Sequence, residues 1–143
     1  DDIAPAIEDA KKALEVELEQ SWIGASQITF LGTGWTLGLA NEAGLKLREA
    51  SQSWTETYPA MEYRHGPISI AEPGRIVGIF GEVPHGLVDQ INATGAEVHH
   101  SDLDPMADLV IAQRLAVARA EAKGLEPDHP RHLSRSVILD DEE

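Results

Sequence analysis

The chain has no cysteine. That removes disulfides, thiolate metal sites and cysteine nucleophiles together, and it fits a cytoplasmic setting. Positive charge is scarce: 11 Lys and Arg stand against 25 Asp and Glu, a formal net charge of -14. A surface of that sign repels phosphate backbones and anionic membranes, so neither nucleic acid nor a membrane is an expected partner. No apolar run reaches the roughly 20 residues that a membrane span needs. The acidic opening, Asp1-Asp2-Ile3, lacks the basic start of a secretory signal. What is present, 143 residues of ordinary apolar content, is one domain's worth of chain with a substantial core.

Residues 1–20 read as an amphipathic helix with Ile3, Ile7, Ala10, Leu14 and Leu18 at helical spacing, a lead-in that fills residues 1–26. The run Ile28 to Leu31 is apolar and β-branched, stops at Gly32-Thr33-Gly34, and is followed by a helix over 36–51. Strand, glycine turn and helix open an α/β unit. Further strands are expected at 53–58, 75–80 and 97–100. A short helical turn is expected at 61–65, and helices at 87–94 and 107–123. Strands alternating with helices predict an α/β fold with a doubly wound, mostly parallel sheet flanked by helices, spanning residues 27–139. Val137 to Leu139 is a candidate edge segment, and residues 140–143 an acidic tail.

Chemistry concentrates between Thr36 and Pro67. Glu42, Lys46 and Glu49 stand at i, i+4 and i+7 and project from one helix face. Leucines on several sides of this helix predict partial burial, which would raise a carboxylate's pKa, while Lys46 would oppose that shift. His65 is followed by Gly66-Pro67, which fixes an imidazole at a turn; a histidine there is either structural or a proton carrier at neutral pH. The basic residues form two groups, Lys46, Arg48, Arg64 and His65 in one and Arg131, His132 and Arg135 in the other, and these are candidate walls of an anion pocket. Gly32, Gly34 and Gly38, with Glu56 downstream, fit a dinucleotide fingerprint only in part, because one extra residue intervenes. His99-His100 with Asp102 and Asp104 offers metal-type side chains, but neighbours on a strand point to opposite faces, so no metal and no cofactor is expected.

The ordered motifs Gly32-Thr33-Gly34, Asn41 to Glu49, Glu56-Thr57-Tyr58 and Glu62 to Pro67, with the tail Pro127 to Val137, resemble the SIS (sugar isomerase) family. The match is to the second half of a tandem SIS protein, such as the isomerase part of the glucosamine-6-phosphate synthases or the tagatose- and amino-sugar-phosphate isomerases. It covers residues from about Gln27 to Leu139. The resemblance implies a flavodoxin-like three-layer sandwich acting on a phosphorylated sugar or amino sugar, as a homodimer or paired with an upstream SIS half. It implies Glu49 as the base that moves a proton between C1 and C2. Lys46 would be the oxyanion stabiliser, Glu42 would position sugar hydroxyls, and His65 would assist ring opening from a neighbouring subunit. Gly32, Thr33, Gly34, Arg64 and Arg135 would line the substrate.

Two departures qualify the match. Arg135 stands where a synthase tail carries an imine-forming lysine, and a guanidinium stays protonated and forms no Schiff base. The Ser/Thr-rich phosphate loop of the family's first half is missing from this chain. Aldose–ketose isomerisation is the expected activity. Amino-sugar-phosphate deamination and a non-catalytic sugar-phosphate sensor are its alternatives.

Overall fold

The computed structural model describes residues 2–134. Four strands, β1 (Gln27–Gly32), β2 (Thr55–Pro59), β3 (Arg75–Phe80) and β4 (Glu97–His99), form one all-parallel sheet in the order β2-β1-β3-β4. Around it lie α1 (Ala4–Glu15), α2 (Gln20–Gly24), α3 (Thr36–Ser51), α4 (Ala60–Tyr63), α5 (Leu87–Asn92) and α6 (Pro105–Ala122), with a 3₁₀ turn at Pro67–Ile70. The expected three-layer α/β architecture is the one observed. β1 is buried along its whole length because it is central in the sheet and covered on both faces. Ile28, Phe30, Ile76 and Phe80 pack under Ala40, Ala43 and Leu47 of α3 and Ala112, Leu115 and Ala116 of α6. On the other face Leu31, Val77 and Ile79 meet Tyr63, Leu87 and Ile91. Among the described residues no helix is long and apolar enough to cross a membrane.

The turn from β1 into α3 depends on Gly32. A Cβ there would lie 2.5 Å from backbone atoms of Thr36 and Leu37, so only glycine lets the helix start this close to the strand. Gly34, at φ +58, then turns the chain through the left-handed region. Thr36 locks the result: its hydroxyl accepts from the Thr33 N–H at 2.9 Å and donates to the Phe80 carbonyl at 2.8 Å. The first turn of α3 is thereby tied to the end of β3.

The lead-in differs from expectation. Its helix stops at Glu15, and a separate short helix covers Gln20–Gly24. The buried side is also different. Ala13 is fully buried and Ala10 half-buried against α6, whereas Ile3, Ile7 and Leu14 remain exposed. Small residues let two helix backbones approach closely, and that packing displaced the larger side chains to the shoulder of α1.

Helix α6 joins the helical layer through its basic residues. Arg114 donates to the carbonyls of Ala13 and Val16, at the end of α1. Arg119, 2 % exposed, donates to Trp22, Ile23 and Ala25 carbonyls at the end of α2 and to the Ser53 hydroxyl. Lys123 donates to the Ser51 carbonyl, at the end of α3. Each cation satisfies carbonyls that a helix C-terminus leaves without partners, where the helix dipole favours positive charge. Arg119→Met keeps much of the stem volume and strands several buried acceptors. The expected loss is about 3 kcal/mol, or roughly 10 °C in melting temperature. Thermal and urea unfolding of the variant test this, and an unchanged midpoint would remove Arg119 from the stability account.

Candidate active site

Helix α3 buries Thr36, Ala40, Ala43, Gly44, Leu47 and Ser51 against the sheet and α6. Its Glu42, Lys46 and Glu49 therefore project from the opposite side. The structure brings these three together. The Lys46 ammonium lies 3.0 Å from a Glu49 oxygen and 3.6 Å from a Glu42 oxygen. Their side chains are 41, 31 and 39 % exposed for Lys46, Glu49 and Glu42 respectively, so the helix keeps more solvent face than its leucines suggested. The hydrogen bond from Lys46 to Glu49 raises the lysine's pKa, so it stays an ammonium and holds positive charge beside both carboxylates. Ion pairs this open contribute little to stability, on the order of 0.5 kcal/mol or less.

A loop closes over Lys46 and Glu49. After α6, Gly124 at φ +69 turns the chain back, and Pro127 and Pro130 shape its return across the C-terminal half of α3. Glu49 lies in a cleft of about 880 Å³ with Asp128, His129, Leu133 and Ser134. Arg48, Gln52, Arg131 and His132 line its continuation. On the other flank, Lys46 and Glu49 share a groove with Gln113 and Val117 of α6. Space for a small, partly anionic ligand thus surrounds one carboxylate–lysine pair. Asp128 and His129 had not been singled out from the sequence. Their signal was the Gly124, Pro127 and Pro130 spacing, which reverses the chain without specifying what it meets.

The second group of candidates lies elsewhere. Gly32-Thr33-Gly34 sits at the carboxyl ends of β1 and β3, where the strand order reverses, and the Thr33 hydroxyl contacts the Glu82 carbonyl at 3.4 Å. Arg64 donates to the His85 carbonyl at 3.0 Å, which ties the Arg-His-Gly-Pro turn to the loop after β3. His65 is exposed beside it. Gly66 has open space where a Cβ would stand, so its φ of +151 explains the glycine rather than a close approach. Glu49 is 13 residues along α3 from Thr36, about 20 Å at the helical rise, toward the opposite edge of the sheet. Within one chain His65 and Arg64 do not share a site with Glu49 and Lys46. Arg135 and the Val137 to Leu139 segment lie outside the described residues.

Two further readings find other partners. Gly38 has nothing within 4 Å of a built Cβ, so it lacks the helix–strand contact that the third fingerprint glycine makes. Glu56 sits in mid-strand, paired across the ladder with Thr29, and accepts from the Tyr58 hydroxyl at 2.5 Å. His100 bonds the Gly81 carbonyl while His99 turns inward, its ring 4.6 Å from that of Trp22. Asp104 caps α6 through the Met106 N–H. Among the described residues no three ligand-type side chains are grouped to hold a metal ion.

In sequence and in fold the chain is similar to proteins that contain SIS (sugar isomerase) domains. It is similar to the glutamine–fructose-6-phosphate aminotransferase (isomerizing) of Sulfurisphaera tokodaii, with 30% identity over 161 residues, 97% of this chain and 27% of that protein. It superposes on glucosamine-6-phosphate deaminase from Thermotoga maritima with a TM-score of 0.76 at 27% identity, over 92% of this chain and 46% of that one. Tagatose-6-phosphate ketose/aldose isomerase from Escherichia coli shares the fold, with a TM-score of 0.67 at 19% identity over 92% of this chain and 48% of that one. The chain thus spans about a quarter of the aminotransferase's length and under half of either solved chain. No protein-family model matches the sequence.

A small enclosed cavity, lined by Trp22, Phe30, His99, Asp108 and Ile111, has room for little more than water. Burial lowers the His99 pKa below 6.5 and raises that of Asp108 above 3.8. For His99 the unfolded chain takes up a proton that the native state resists, so its contribution to stability is lost as pH falls from the unfolded value toward the folded one. Asp108 acts in the opposite sense, its native state retaining a proton that the unfolded chain releases as pH rises above 3.8. His99→Phe should therefore flatten the decline in stability just below the ordinary histidine pKa. Urea unfolding of both proteins across that window provides the check, and parallel profiles would count against it.

Proposed function

We propose that this chain supplies the proton-transfer half of a sugar-phosphate aldose–ketose isomerase site, in the cytoplasm. The observation that carries the reading is the Lys46–Glu49 pair, with Glu42 beside Lys46, where Glu49 lies in a cleft and both residues line a groove formed with the C-terminal loop. Glu49 takes the C2 proton of an open-chain aldose phosphate. The electron pair moves to form an enediolate, and the negative charge develops on O1 beside the Lys46 ammonium. The hydroxyl proton on O2 passes to O1, and the proton held on the Glu49 carboxyl is delivered to C1, which yields the ketose. Glu42 orients sugar hydroxyls and helps keep Lys46 charged.

His65 serves ring opening at a site on a second unit, either a second copy or an upstream SIS half. This division follows from the roughly 20 Å along α3 between Glu49 and the sheet edge that carries His65. Gly32, Thr33, Gly34 and Arg64 belong to that same edge and contact the substrate of the neighbouring unit. Arg131 and Arg135 add positive charge to the loop side, and Arg135 takes no part in imine chemistry.

The superposition on the deaminase gives a second reading its own support. Deamination of an amino-sugar phosphate begins with the same proton abstraction, so the residue roles carry over. A panel of hexose and amino-hexose phosphates in deuterated water separates the readings. Deuterium at C1 or C2 without ammonia marks isomerisation, and ammonia release marks deamination. Ligand-dependent thermal shift with neither marks a sensor. Glu49→Gln should lower exchange at least about a thousandfold and leave the melting temperature almost unchanged, since its ion pair is half-exposed. Exchange that persists in this variant would eliminate Glu49 as the base.

A further inference from the structure

We propose that the groove between the C-terminal end of α3 and the loop after α6 binds the phosphoryl group of a sugar phosphate, gripped by Arg48, Gln52, Arg131 and His132 over a floor at Ser53. The inference rests on the proposed function and names the part of that site which holds the substrate's anion. These residues and Glu49 line one groove of about 330 Å³. Glu49 also lies in the neighbouring cleft of about 880 Å³, so a ligand anchored in the groove extends past the proposed base. The Arg48 guanidinium is steadied by a 2.7 Å hydrogen bond to the Thr55 hydroxyl. Among the described residues no carboxylate pairs with Arg48 or Arg131. Gln52 and His132 are the two described residues other than glycine with positive φ, +52 and +65, and both line this groove. Side chains enter the left-handed region at a steric cost, so the surroundings hold both in place.

The field behind the groove has the matching sign. Ser53, 5 % exposed, accepts hydrogen bonds from Arg119 Nε at 2.9 Å and Lys123 Nζ at 3.5 Å. Neither cation has a carboxylate partner among the described residues. Burial first, and then the Arg119 charge, lower the Lys123 pKa, which marks two like charges close together. Arg48 and Arg131 add to this pair. Against the four stands Glu49, whose charge Lys46 already meets at 3.0 Å. On a chain with a net charge of -14 the groove is a local reversal of sign. The negative end of the α3 dipole opposes an anion here. Its carbonyls are engaged, however: Leu47 by the Ser51 hydroxyl, Arg48 by the Gln52 N–H and Ser51 by Lys123. Two guanidinium forks and this surplus of positive charge suit a phosphoryl dianion better than a single carboxylate.

Amide NMR of the full chain, titrated with inorganic phosphate, glucose 6-phosphate or glucose, tests the assignment. Both phosphates are expected to shift residues 48–53 and 131–133 saturably, and glucose at equal concentration to leave them in place. Arg131 is exposed, so Arg131→Gln should weaken phosphate binding about tenfold or more without changing the circular dichroism. Arg131→Lys should recover part of that loss, since it keeps the charge without the fork. Lys11→Gln removes the same charge on α1 and should leave the Kd almost unchanged, which separates a site from general attraction. No saturable shift, shifts confined to residues 32–36, or equal losses in Arg131→Gln and Lys11→Gln would overturn the proposal. Phosphate binding in the groove without exchange at C1 or C2 would leave the subsite standing and remove the isomerase reading. Turnover with a KM that Arg131→Gln does not move would do the reverse.

Discussion

Three cations, two on α6 and one at its C-cap, hold the helical layer together. Arg114, Arg119 and Lys123 reach the C-terminal ends of α1, α2 and α3 in turn, and each supplies N–H donors to carbonyls that the helices cannot satisfy themselves. The consequence is sharpest at Arg119, which is buried, has no carboxylate partner among the described residues, and has its pKa lowered by that burial. A charge so placed costs desolvation, offset here by several short hydrogen bonds to backbone oxygen and by the negative ends of helix dipoles. In a chain with only 11 basic residues, using three of them in this way leaves few for ligand contact. That scarcity makes the positions of Lys46, Arg48, Arg131 and His132 around Glu49 more informative than they would be on a basic protein.

The same framework sets the geometry of the chemistry. α3 starts at the carboxyl edge of the sheet because Gly32 lets it, and it runs back along the strands for its full 16 residues. Groups at its two ends are consequently separated by the length of the helix. The glycine turn, Arg64 and His65 share one edge, while Glu49 and Lys46 lie toward the other. A single α/β unit of this kind thus keeps the two groups of candidate residues apart. Under the proposed function, a reaction that uses both sets of groups at one substrate draws them from two such units.

Much of this could be read from the residues. The α3 boundaries, the four strands and their alternation with helices follow from glycine and proline punctuation and from short β-branched runs, all of which are local signals. The i, i+4, i+7 spacing also placed Glu42, Lys46 and Glu49 together, because helix geometry fixes which side chains share a face. Other features were not local. Which side of α1 would be buried depended on how closely α6 could approach, and Ala10 and Ala13 outcompeted Ile3, Ile7 and Leu14 for that contact. The extent of α3's solvent face depended likewise on which flanks its neighbours cover.

The candidate region from Thr36 to Pro67 thus divides in two. By itself the sequence determined its elements and the triad on α3, since periodicity and turn chemistry act over a few residues. Tertiary structure alone decided that His65 lies away from Glu49 and that the loop carrying Asp128 and His129 returns over it. Those outcomes follow from parallel strand order and helix direction, which relate residues by position in space and leave no mark on the spacing between them.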